Sequence, residues 1–80
     1  MATQSIGTTA WESVTTTTAD TVFQNKGAHP IYITTESTSG LDFSDGFYLE
    51  PQGGAIVISS SQDVSAVSFN SDNELFYVEV

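Results

Sequence analysis

The feature that most limits what this chain can fold into is its punctuation. Short runs rich in β-branched and aromatic residues each close on a turn-forming cluster, and no window repeats apolar residues at helical spacing. Turn signals recur every eight to twelve residues or so, roughly the rhythm of β-sandwiches and small barrels. The expected fold class is all-β: a small antiparallel β-sandwich or barrel of roughly six to eight short strands built from hairpins, since one open sheet cannot hide its own apolar face.

Residues 47–58 (FYLEPQGGAIVI) read as the central pair of strands. Pro51 sets its own φ and Gly53 accepts the positive φ of a type II turn, so residues 51–54 are expected to close a hairpin. The consecutive Ile56, Val57 and Ile58 place that hairpin in the middle of a core. Upstream, Thr21–Asn25 (TVFQN) and residues 31–35 (IYITT) flank a Lys26-Gly27 turn and are expected to pair. Ile31 and Ile33 face one way, Tyr32 and Thr34 the other. Residues 64–70 (VSAVSFN) and 75–80 (LFYVEV) read as a last hairpin. In it Phe76, Val78 and Val80 form one face, and Leu75, Tyr77 and Glu79 the other. Ending on an apolar strand residue implies that a sheet holds the C-terminus. Residues 36–46 read as an irregular loop packed onto the body by Leu41 and Phe43. Residues 1–10 hold little apolar material besides Ile6 and are expected to form a flexible N-terminal arm, leaving residues 11–80 as a single β domain.

At 80 residues a domain buries only about 60–65% of the surface its unfolded chain exposes. With no cysteine, and with a single histidine, neither disulfides nor a structural zinc site reinforces it. Association remains, and a homo-oligomer or an obligate partner is expected. Ten acidic residues against the one basic residue, Lys26, give a formal net charge of −9. That balance argues against nucleic acid, whose binding needs a basic stripe, and against anionic membrane surfaces. It leaves a partner that is basic, or one recognised without charge. Residues 1–10 lack the basic and apolar regions of a signal peptide, so secretion by that route is not expected.

No constellation of reactive residues stands out, and neither an enzyme nor a cofactor is expected. His29 precedes Pro30 in a loop with no nucleophile or acid spaced around it. Asp42, Ser44 and Asp45 are hard donors at close spacing, but they lack the spaced acids and closing Glu of a calcium loop and suit a turn better. Asp42 with Asp45 or Glu50 would make a carboxylate pair with little cleft around it. Gly53-Gly54 joins strands and opens no phosphate-binding helix. The candidate interface residues are Ile6, Trp11, Tyr32, Phe43, Tyr48 and Tyr77, the aromatics among them carrying much apolar area. Two functions fit: a structural module of a large assembly, or a carbohydrate-binding module using Trp11, Tyr32, Tyr48 or Tyr77 as stacking platforms.

The stretches TVFQNKG, PIYI, GFYLEPQGGAIVI and LFYVEV, spanning residues 21–80, resemble short virion proteins of tailed bacteriophages. In those proteins a strand ends in Gln-Asn before a Gly turn, a Val-Tyr-Ile-like strand follows, and a Gly-x-x-Leu-x-Pro-Gly-like hairpin precedes a short apolar last strand. This chain has Pro51-Gln52 in place of Pro-Gly. The resemblance implies a head decoration or cement protein, bound as an oligomer to the major capsid protein or another virion protein on the outside of the capsid. Such a protein is made in the host cytoplasm and resides in the virion. The tail, the head-tail joint and the fibre base are the alternative positions, and residues 1–10 would reach to the capsid or a neighbour.

Overall fold

Strand alternation decides which side chains meet. In the computed structural model, which describes residues 2–36, 38–69 and 71–80, eight strands carry it. They are β1 (Ala2–Ile6), β2 (Glu12–Thr16), β3 (Thr21–Asn25), β4 (Ile31–Thr34), β5 (Phe47–Leu49), β6 (Ala55–Ile58), β7 (Asp63–Ser68) and β8 (Asn73–Glu79), with a short 3-10 turn, Phe43–Asp45, between β4 and β5. Met1, Ser37, Asn70 and the side chain of Ser44 lie outside the described residues, and with them those parts of the expected arm, loop, last hairpin and hard-donor cluster.

The strands form two four-stranded antiparallel sheets, β1-β8-β3-β6 and β2-β7-β4-β5. The all-β sandwich expected from the sequence is present, and its strand order is that of an eight-stranded jelly roll. Of the seven connections, only β4 to β5 joins neighbours in one sheet; every other connection crosses to the opposite sheet. The three hairpins expected from turn signals are therefore corrected. β3 pairs with β6 and β8, β4 with β5 and β7, and β7 and β8 lie in different sheets.

The reason lies in what the turns bond to. A hairpin turn closes on itself across roughly 4.8 Å, whereas these segments span the roughly 10 Å between sheets. In residues 51–54 the Gln52 N–H donates to Gly27 O at 2.9 Å and the Gly53 N–H to Asn25 O at 2.8 Å. Those amides tie this crossing to the crossing after β3 and do not zip β5 to β6. Gln52 and Gly53 both adopt positive φ, 59° and 131°. Far from sitting in mid-core, β5 and β6 are edge strands of opposite sheets, with Tyr48 53% and Val57 60% exposed.

The expected arm is also corrected. Ala2–Ile6 is a strand paired antiparallel with β8, and Ile6 is fully buried in the core. The core joins it to Phe23, Ile31, Ile33, Leu49, Ile58, Val64, Ala66 and Leu75, with Val14, Ile56 and Tyr77 packed against them. Phe23 and Tyr77 stack with centroids 5.4 Å apart. The pattern in β4 holds, Ile31 and Ile33 both lying inside. β8 runs between β1 and β3, so the C-terminal strand is held in the middle of its sheet.

Candidate docking surface

Register shows what faces outward. Tyr32 stands opposite Tyr48 on β5 and Val67 on β7, so these three side chains share the face of their sheet turned away from the core. Val67 is completely buried yet lies outside the core cluster. Tyr32 meets Tyr48 at 5.6 Å between ring centroids and Phe69 at 6.4 Å, with interplanar angles of 61° and 37°. Tyr48 is 53% and Phe69 46% exposed. The result is a satellite cluster of three rings beside a buried valine, open to solvent on top.

A second pair adjoins the same strand. The turn bearing Phe43 packs against β4, and Trp11 meets Phe43 edge-on at 6.2 Å. Gly46 makes room for this pair: a Cβ there would lie 2.7 Å from the Trp11 ring and 2.9 Å from Ile33 O. The Trp11 indole N–H is buried and has no hydrogen-bond partner among the described residues.

Four of the six candidate interface residues, Trp11, Tyr32, Phe43 and Tyr48, thus gather along β4. The other two do not. Ile6 is buried and Tyr77 packs inward on Phe23, so both leave the candidate surface as a correction. Phe69 and Phe47 belong with the exposed aromatics, at 46% and 58%. The parity of Phe69 with Val67 was legible in the sequence, but its neighbour Tyr32 depends on the β4–β7 register, which no local signal encodes.

Charge is distributed unevenly around this surface. The described residues of the crossings 7–11, 26–30, 50–54, 69 and 71–72 meet at one end of the sandwich, where Lys26 and His29 lie; those of 17–20, 35–36, 38–46 and 59–62 meet at the other. Six acids, Asp20, Glu36, Asp42, Asp45, Asp63 and Glu79, sit in or beside the second group with no cation among them. Lys26 places its ammonium 4.5 Å from the Phe76 ring centroid, a cation–π contact on the other sheet. The central rows of the β4 sheet's outer face, Ser13, Ser65 and Thr34 beside Val67, Tyr32 and Tyr48, carry no charge.

The chemistry weighed from the sequence resolves into structural roles. Asp45 accepts the Asp42 N–H through Oδ2 at 3.0 Å, capping the 3-10 turn, and both residues are exposed. Among the described residues, no three His, Cys, Asp or Glu side chains cluster as a metal site would require. His29 contributes its backbone: its carbonyl accepts from Asn25 Nδ2 at 2.8 Å and from Asn73 Nδ2. Two open depressions, of about 290 and 330 Å³, are lined mainly by polar groups, Thr15, Thr16, Thr17, Thr18 and Glu79 in one, Ser5, Lys26, Asp72 and Glu74 in the other. What the uncharged rings can do is dock: they offer area, shape and two phenol hydroxyls to an apolar or polar uncharged partner. Set against models of known protein families, curated proteins and solved structures, the chain matches none.

Proposed function

We propose that this protein is a non-enzymatic structural component of a tailed-phage particle, a head decoration or cement protein. It attaches as a homo-oligomer to the outside of the capsid lattice through the aromatic surface along β4. The observation that carries this reading is the uncharged Tyr32–Tyr48–Phe69 row, with Tyr48 and Phe69 exposed, on a chain of net charge −9. Such a row is where a strongly acidic protein meets a partner without paying a large charge desolvation. The strand order adds support by analogy only, because double-sheet jelly rolls recur in viral capsid proteins and also in lectins.

Physically, the docking works by repetition. A capsid presents the same modest site many times, and an oligomer holding several at once gains avidity without stronger individual contacts. The acid-rich end, turned outward, keeps particles apart.

Quantitative mass spectrometry of purified particles of the encoding phage tests the reading. Copies in the hundreds, as lattice symmetry demands, support a shell component. About six or twelve copies would move the protein to the tail or its joint, and absence from particles would end the proposal. In the last case, calorimetric titration with glycans examines the lectin-like alternative, for which saturable heat is required.

A further inference from the structure

We infer that the free edge of β6 pairs with β6 of a second copy about a two-fold axis through Ile56, making one continuous eight-stranded sheet. This deepens the oligomer part of the proposed function and rests on it.

Sheet edges are pairing templates, and natural sheets blunt them with bulges, charges, prolines or brevity. Three of the four edges here are managed. β2 carries a bulge between Ser13 and Thr15. β1 is tied to β2 by the Gln4 side chain, whose Nε2 donates to Ser13 O at 3.1 Å. β5 is only three residues long. β6, with the sequence AIVI, has no charge, no proline and no register shift against β3.

The hydrogen-bonding pattern fixes the register of the pairing. At the start of the β3–β6 ladder the Asn25 N–H donates to Gly54 O. Bonding direction alternates along an antiparallel ladder, so Ile56 and Ile58 face β3 while Ala55 and Val57 point their N–H and C=O groups outward. Apart from ladder bonds, no hydrogen bond among the described residues engages Ala55 or Val57. A two-fold through Ile56 sets Ala55 opposite the second copy's Val57, and Val57 opposite its Ala55. All four outward groups of each edge are then used. Val57, which lies in a row with Val22 and Val78 on the outer face, gains an apolar neighbour.

Charge selects a second copy as the occupant. Residues 51–62 form the longest uncharged run of the sequence, so this edge is where two molecules of net charge −9 approach at least cost. A basic partner would be drawn to the acid-rich end instead.

The test uses the purified full chain. Sedimentation over a concentration series is expected to show a monomer–dimer equilibrium. Val57→Pro removes one outward N–H per copy on an edge strand that tolerates it, and losing two of the four bonds is expected to weaken the dimer about 30-fold. Unchanged circular dichroism checks its fold, and Val57→Thr, which keeps the backbone bonds, is expected to remain dimeric. Directly opposed non-hydrogen-bonded residues have Cα atoms about 4.5 Å apart, within disulfide range. With no native cysteine, Ile56→Cys is therefore expected to cross-link under mild oxidation faster than Val57→Cys. A wild type that stays monomeric throughout, a Val57→Pro protein that dimerises equally well, or Val57→Cys cross-linking faster overturns the pairing. Wild-type particle occupancy by a monomeric Val57→Pro protein would remove this pairing from the attachment and leave the docking proposal standing. A wild-type protein that dimerises yet is absent from particles would do the reverse, leaving this pairing standing and ending the docking proposal.

Discussion

Asn25→Ala is the most informative single change in the fold, because one side chain holds two sheets and the crossing after β3 together. Asn25 is fully buried at the end of β3. Its Nδ2 donates to His29 O at 2.8 Å and to Leu49 O, on β5 of the other sheet, at 3.1 Å; its Oδ1 accepts the Gly27 N–H at 3.0 Å. At about 1 kcal/mol net per bond, alanine loses about 3 kcal/mol, and stranding a buried carbonyl adds about 1–2 more. A domain of this size has a total stability of only about 4–12 kcal/mol. Truncation therefore removes a large share, with a melting temperature lowered by at least about 12 °C. Urea unfolding followed by Trp11 fluorescence and circular dichroism measures it, with a lower midpoint and an unchanged slope expected. Gln24→Ala is the internal control: its side-chain bond to Gly53 O is exposed and 3.4 Å long, and a cost under about 0.5 kcal/mol is expected. Should Asn25→Ala cost less than about 1 kcal/mol, the pin between the sheets would be wrong.

Other outcomes follow from the same geometry. Gly46→Ala forces a methyl against the Trp11 ring and Ile33 O; a loss of about 1–3 kcal/mol is expected in the same unfolding assay, together with a shift in Trp11 emission. Gly27→Ala places its methyl on the Asn73 side chain, which bonds His29 O and the Glu74 N–H; losing those two bonds is expected to cost about 2 kcal/mol. Added salt is expected to strengthen self-association by screening like charges on two copies of net charge −9. Weaker association at high salt in sedimentation would contradict an uncharged contact between acidic molecules.

The sequence carried the strands well and their partners poorly. Alternation in residues 31–35 set Ile31 and Ile33 apart from Tyr32, and in residues 75–80 set Leu75 and Tyr77 apart from Phe76 and Val78, because a pleated strand enforces a period of two. Which face of the last strand turns inward was not legible, and Tyr77, expected at an interface, packs on Phe23. Pairing is non-local. The turn at residues 51–54 carries hairpin composition, yet its amides bond Gly27 and Asn25, which lie far back in the chain. Ile6 looked like a lone apolar residue in a polar arm; its burial depends on β8, at the opposite end of the sequence. The same limit applies to the candidate surface. Trp11, Tyr32, Phe43 and Tyr48 were identifiable as large rings, but that they flank β4, and that Phe69 joins them, follows only from the register of β4 with β5 and β7.

Occupancy of the aromatic row on particles decides most directly whether this face is the attachment surface. The double variant Tyr48→Ala with Phe69→Ala removes two exposed rings, so wild-type circular dichroism and sedimentation are expected. Particles grown with it, or stripped particles incubated with it, are expected to carry less than about a tenth of the wild-type copy number, since interface rings of this kind are each worth at least about 1–2 kcal/mol. Full wild-type occupancy by a correctly folded double variant would contradict the account.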